Sequence, residues 1–210
     1  MAELVYPPVI GLAKTLFRVM DLRITVTGGE HIPRAGGAVL ASNHVSYLDF
    51  IFAGFAAQPS KRLVRFMAKQ EIFANRIAGP LMRAMHHIPV DREAGLASYK
   101  AALAALKAGE VVGVFPEATI SETFEVKELK SGAARMAGAA GVPLIPMALW
   151  GTQQLWTKGR PRNLLQRHVP ISIVVGEPLA VSRREDATPL LRERMAKLLD
   201  QAREQVATGP

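Results

Sequence analysis

The 210-residue chain contains no cysteine, and that one absence removes several chemistries together. Without a thiol there is no disulfide, no thiolate metal site and no cysteine nucleophile. No G-x-S-x-G turn occurs either, so the usual signature of an exposed serine nucleophile is also missing. Aromatics make up only 6% of the chain, which is sparse for the stacking platforms that hold single-stranded nucleic acid. No helix-turn-helix, zinc-finger or RNA-binding signature is present, so nucleic acid is not expected as a partner. Long hydrophobic runs are lacking too. The longest uncharged stretch, from about Ala137 to the residue before Lys158, is interrupted by Gly138, Gly141, Pro143, Pro146 and Gly151. It reads as a helix end, a turn and a strand, not as the roughly 20 apolar residues a membrane span needs. Glu3 precedes the first apolar stretch and no small-residue cleavage site follows, so no leader is expected.

What is present suits a folded domain with an acidic partner. Hydrophobic residues reach 49%, and a chain of this length buries roughly 70% of its extended surface without needing a metal or a disulfide. Lys and Arg number 26 against 18 Asp and Glu, a net charge of +8. Such an excess favours anionic lipid head groups and phosphorylated substrates.

Along the chain, residues 9–22 suit a helix with Lys14, Arg18 and Asp21 on one face and Val9, Leu12, Leu16 and Met20 opposite. It is either a surface helix packed on the domain or one lying in a membrane interface. Strands are expected at 23–27, 38–42, 63–67, 88–90, 111–115, 143–150 and 171–175. Helices are expected at about 47–57, 72–86 (split at Gly79-Pro80), 93–107 and 129–140, with a last one starting at Thr188-Pro189 and burying Leu191, Met195, Leu198, Leu199 and Ala202. Strands alternating with helices give an α/β fold with a mainly parallel or mixed central sheet. The division is a membrane-facing amphipathic helix at 1–22 and a single domain at 23–210.

Three stretches carry candidate chemistry. SNHVSYLDF, 42–50, sets His44 and Asp49 in core-like surroundings. Ser46 with Asp49 three residues later fits a helix-start capping box, which accounts for the carboxylate but not for the imidazole. Within one continuous helix, residues five apart sit about 140° out of register. With His44 just ahead of the helix and Asp49 in its first turn, the two can meet, and the carboxylate would fix the tautomer that leaves one nitrogen as a base. GVFPEATIS, 113–121, ends a buried strand and delivers Glu117 to the carboxyl edge of the sheet, where ligands bind in such folds; a loop anchor is the plainer alternative. HHIPVDRE, 86–93, delivers Asp91 and Arg92 to a strand end, or else makes a surface salt bridge.

Taken in order, NHVSYLD, IPVDR, FPEAT and VPLIP resemble the four blocks of the glycerolipid acyltransferases, the family of 1-acylglycerol-3-phosphate acyltransferases, over residues 42 to about 149. VGEPLAV, 175–181, looks like that family's strand exit. The resemblance implies transfer of a fatty acyl group from acyl-CoA or acyl carrier protein to a glycerol hydroxyl of a lysophospholipid. His44 would be the base and Asp49 its orienting partner, with no covalent acyl-enzyme, no cofactor and no metal. It places Asn43, Arg92, Phe115, Pro116, Glu117 and Thr119 at the substrate. It also implies a peripheral protein on the cytoplasmic side of the cell membrane, bound to its anionic surface.

The third block departs from the family pattern: Ala118 and Ile120 replace a glycine and the arginine expected to clamp phosphate. Arg92, Lys130, Arg83 and Lys69 are the candidates to take over that charge. In the second block His87 stands where glycine is common. Glycerol-3-phosphate and a glycolipid without phosphate are therefore alternative acceptors. A peripheral lipid-binding protein without turnover is the non-enzymatic alternative.

Overall fold

A computed structural model describes residues 4–91, 95–182 and 186–209. Among them seven strands form one sheet: β1 (Arg23–Thr27), β2 (Ala38–Ser42), β3 (Val64–Lys69), β4 (Ile88–Val90), β5 (Val111–Val114), β6 (Leu144–Trp150) and β7 (Pro170–Val175). Their spatial order is β1-β7-β6-β2-β5-β3-β4. Every neighbouring pair is parallel except β6 with β7. The sheet is thus mixed, and β2, β3, β4, β5 and β6 all end on one edge.

Helices α1 (Tyr6–Val19), α2 (Asp49–Ala56), α3 (Gln70–Ala74), α4 (Ala78–Ala84), α5 (Gly95–Lys107), α6 (Gly132–Ala140) and α7 (Thr188–Thr208) complete the α/β layers. The alternation of side chains along each strand divides the core into two halves. Leu40, Val111, Ile145, Met147 and Ile173 face α2, with Phe17 and Met20 of the α1 region packed behind. Val39, Ala41, Val112, Leu144 and Ala148 face α5, α6 and α7. Because β2 and β5 are covered on both faces, they are buried end to end and read as unbroken apolar runs. From α7, Leu191, Met195, Leu199 and Ala202 are fully buried, while Leu198 packs at the margin.

Some boundaries differ from those expected. The helical stretch 72–86 breaks at Asn75, not at Gly79-Pro80. The Asn75 side-chain oxygen accepts the N–H groups of Ile77 and Ala78 and so starts α4. Pro80 then falls in the first turn of α4, where no intrahelical N–H is required. The strand at 63–67 runs on to Lys69 because β4 continues its pairing through Lys69↔Val90. The helix expected from 129 begins at Gly132, since the Lys130 N–H is held by the Pro116 carbonyl. The expected helix start at Glu93 lies outside the described residues.

His87 has a role in this sheet. β3 pairs with β5 through Phe66↔Gly113 and takes up β4 only from Met67↔Ile88. One residue ahead of that pairing, His87 Nδ1 accepts the Phe66 N–H at 3.0 Å. The imidazole therefore stands in for a backbone carbonyl, with its proton on Nε2. Burial, seconded by the Arg65 charge, lowers its pKa to about 4.

The unfolded chain, with an ordinary histidine, binds more protons than the fold between that value and about 6.5. Stability from this group is therefore complete above about pH 6.5 and drains as the pH falls toward 4, by roughly 3 kcal/mol in all. His87→Asn keeps an acceptor for Phe66 without titrating. Urea midpoints measured from pH 7 to 4 should fall more steeply for the native chain than for this variant.

Candidate active site

His44 lies two residues beyond β2, and Asp49 is the first residue of α2. The turn between them folds the carboxylate back under the imidazole, with His44 Nδ1 2.9 Å from Asp49 Oδ2. The same Oδ2 accepts the N–H groups of Val45 and Ser46, each at 2.7 Å. Oδ1 accepts the Thr152 hydroxyl at 2.7 Å. Asp49 has no exposed surface at all. An isolated buried carboxylate would be costly, and four donors offset that cost.

Half of the expected capping box is thereby realised. The acid reaches back to the Ser46 N–H, while Ser46 Oγ accepts the N–H of Leu48, which is the N-cap residue of α2.

These contacts fix the imidazole. Oδ2 is an acceptor surrounded by donors, so the shared proton sits on Nδ1 and the lone pair lies on Nε2. Phe115 stacks on the ring with centroids 4.3 Å apart and planes 21° from parallel. Phe66 lies against Phe115 at 6.0 Å. Room for that second ring comes from Gly113, where a Cβ would meet Phe66 Cε1 at 2.5 Å. The imidazole side chain keeps 21% of its surface exposed, enough to meet a substrate from the rim.

The loop after β5 is tied to His44 at both backbone atoms. Glu117 Oε1 accepts the His44 N–H at 3.0 Å, and the His44 carbonyl accepts the Ser121 N–H at 2.7 Å. Glu117 Oε2 accepts the N–H of Lys127 at 3.4 Å. Glu117 is buried, and burial pushes its carboxyl pKa up against the opposing pull of these N–H groups and of the His44 and Lys127 charges. The described geometry therefore makes Glu117 a brace between two loops.

The other expected site residues fall in different places. Asn43 is buried, with both amide atoms engaged by the Leu149 backbone: Nδ2 donates at 3.0 Å and Oδ1 accepts at 2.7 Å. It extends the pairing of β2 with β6 by one side chain, and both amide ends are taken up by that backbone. Pro116 is buried and Thr119 is exposed. Lys69 ends β3 on the same edge as His44 and is exposed. Lys130 is exposed beside Pro116. Arg83 is engaged by the Phe73 carbonyl at 2.7 Å, which ties α4 to α3. Arg92 lies outside the described residues.

Ile120 is buried, so its side chain offers the rim neither charge nor exposed surface. Ala118 holds a φ of 59°, where a glycine would be unstrained and a methyl costs on the order of 1 kcal/mol.

Two residues of the site carry no motif signal. Thr152 reaches Asp49 across 103 positions of sequence. Lys127 places its ammonium on the Ile120 carbonyl at 3.1 Å. No group of three or more metal-binding side chains stands together among the described residues. A cavity of about 540 Å³ lies between α7 and the 174–180 segment, at the opposite end of the sheet, and includes none of these residues.

The chain is similar to known proteins in sequence and in fold. A model of the Acyltransferase family matches residues 23–150, the span from β1 to β6 that holds every residue just described except Thr152. The 1-acyl-sn-glycerol-3-phosphate acyltransferase of Bacillus subtilis is 34% identical over 173 residues, covering 80% of either chain. A chloroplastic 1-acyl-sn-glycerol-3-phosphate acyltransferase of Arabidopsis thaliana is 28% identical over 182 residues; the match covers 85% of this chain and 49% of the plant protein. The crystal structure of the 1-acyl-sn-glycerophosphate acyltransferase of Thermotoga maritima superposes with a TM-score of 0.69 at 26% identity, covering 87% of this chain and 72% of that one. The family match over more than half the chain, with a bacterial relative above 30% identity, places this protein in the acyltransferase family.

Proposed function

We propose that this acyltransferase moves a fatty acyl group from a thioester donor, acyl-CoA or acyl carrier protein, to the free glycerol hydroxyl of 1-acylglycerol-3-phosphate. The observation that carries the reading is the Asp49 carboxylate, held by three other donors and accepting His44 Nδ1–H at 2.9 Å. With its lone pair on Nε2, His44 takes the hydroxyl proton as the oxygen attacks the thioester carbonyl carbon. The tetrahedral intermediate collapses, the carbon–sulfur bond breaks, and the imidazolium returns the proton to the leaving thiolate. An ester and a free thiol result, and no protein nucleophile or cofactor takes part.

The acceptor's phosphate needs a cation on this rim, and Ile120 does not supply one. Lys127 supports the role best, because its ammonium sits at the Ile120 carbonyl and its backbone N–H is held by the carboxylate that also holds His44. In an acceptor panel with palmitoyl-CoA, 1-acylglycerol-3-phosphate should outcompete glycerol-3-phosphate and an uncharged monoacyl glycolipid. Lys127→Met should raise KM for the phosphorylated acceptor by about tenfold, the loss of one charge-assisted contact, and leave the uncharged one unaffected. The buried Ile120 favours a second reading, an acceptor without phosphate. Preference for the glycolipid, with Lys127→Met silent, would establish that reading instead.

The working place is the cytoplasmic surface of an anionic membrane. Among the described residues no helix is long and apolar enough to cross a bilayer. Helix α1 packs Phe17 on Phe52 and exposes Leu12, Leu16 and Val19 on a separate stripe. A stripe of this kind lies in a head-group region.

A further inference from the structure

We propose that residues 156–168 form a second membrane foot, which seats the mouth of the active site on an anionic bilayer; this rests on the lipid-acceptor reading above. The segment is stitched to the catalytic turn at its start. The Trp156 carbonyl accepts the Tyr47 N–H at 3.1 Å and the Ser46 hydroxyl at 2.6 Å. The Thr157 hydroxyl donates to the Val45 carbonyl at 2.6 Å. At its end it is stitched to the foot of α1: the His168 N–H donates to the Met20 carbonyl at 3.1 Å, and its ring lies 2.7 Å from Asp21. The strap therefore links the base to the helix already assigned to the membrane.

Between these anchors the strap carries Lys158, Arg160, Arg162 and Arg167 and no acidic residue. Arg160 lies over the Phe124 ring at 4.8 Å, and Arg162 over the Trp156 ring at 4.3 Å. Trp156 in turn packs on the exposed Tyr47 ring at 4.8 Å. Neither guanidinium has a carboxylate partner among the described residues, so their charge is available to a polyanion. Cations laid on amphipathic aromatics suit a head-group layer, where one side of the ring is wet and the other is not.

Beyond them a tight turn, closed by Gln166 N–H to the Asn163 carbonyl at 3.2 Å, carries Leu164 and Leu165 at its two central positions. Leu165 is 88% exposed. A soluble basic loop has no use for two leucines at its tip, whereas a bilayer gives them an apolar environment and gives the arginines phosphates. Charge of one sign together with an apolar tip commits the partner to anionic lipid.

The test uses the full chain and two paired variants, Leu164→Ser with Leu165→Ser and Arg160→Gln with Arg162→Gln, each checked for an unchanged melting midpoint. Co-sedimentation with phosphatidylglycerol vesicles should weaken at least tenfold in either pair, with phosphatidylcholine vesicles bound poorly throughout. Transfer to an acceptor embedded in vesicles should fall in step, while transfer between short-chain, monomeric donor and acceptor stays at the native rate. Vesicle binding unchanged in both pairs would overturn the proposal. So would an arginine pair that binds vesicles normally but loses transfer only from acyl carrier protein, since the strap would then be a carrier-protein surface. Sedimentation needs no turnover, so a failure of the soluble assay in the native chain would count against the acyl-transfer reading and leave the strap to its own result.

Discussion

His44→Ala should reduce acyl transfer by about two to four orders of magnitude in kcat, the usual worth of a positioned general base and equivalent to roughly 2.7–5.5 kcal/mol of transition-state stabilisation. The fold should barely register the change. Removing the imidazole takes one of four donors from Asp49, but Val45, Ser46 and Thr152 keep the carboxylate satisfied. The contacts of Glu117 and Ser121 are to the backbone of residue 44 and survive any side chain there. Thiol release from palmitoyl-CoA in the presence of acceptor, measured beside a thermal melt, checks both parts. Near-native turnover would remove His44 from the chemistry. A collapsed melting midpoint would mean that the ring serves the fold, with Phe115 and the loop after β5 depending on it for packing.

The histidine and the aspartate were legible in the sequence because their relation is local. Five residues and one helix start are enough to bring them together, and both unusual groups sit in an apolar run. Strand ends were legible for a similar reason: buried parallel strands such as AVLAS and VVGV announce themselves by composition, and the edge they share follows from the strand–helix alternation. What the sequence could not disclose is who answers whom across the sheet. Asn43 is part of the ordered motif, yet its partner is the backbone of Leu149, a residue whose identity carries no hydrogen-bonding signal. Thr152 looks like any loop threonine until β6 delivers it beside Asp49. Glu117 sits at a strand end facing the rim, but the N–H groups of His44 and Lys127 turn it inward. His87 had no sequence rationale because the unpaired N–H it satisfies, on Phe66, exists only where β3 changes partner from β5 to β4. Local spacing thus brought out the imidazole–carboxylate pair, whereas the brace around it depends on backbone groups that every residue possesses.

Asp49→Asn should lower kcat by about 10²- to 10⁴-fold with KM for either substrate little changed, and the reason lies in which atoms the carboxylate serves. Oδ2 faces three donors and Oδ1 one hydroxyl. An amide can place its oxygen toward the three donors and its NH₂ toward Thr152, whose hydroxyl can turn to accept. That arrangement preserves the fold and the His44 tautomer but removes the negative charge that stabilises the imidazolium as the proton arrives. The reverse orientation sets NH₂ against the N–H groups of Val45 and Ser46, so the backbone itself selects the first. The residual loss is then electrostatic. Asp49→Ala separates the structural share. It leaves the two backbone N–H groups buried without an acceptor, at about 1–3 kcal/mol each, so the melt should drop sharply where that of Asp49→Asn does not. Equal melting losses in the two variants would make Asp49 a helix-start brace alone, and native kcat in Asp49→Asn would show that the imidazole acts without electrostatic support.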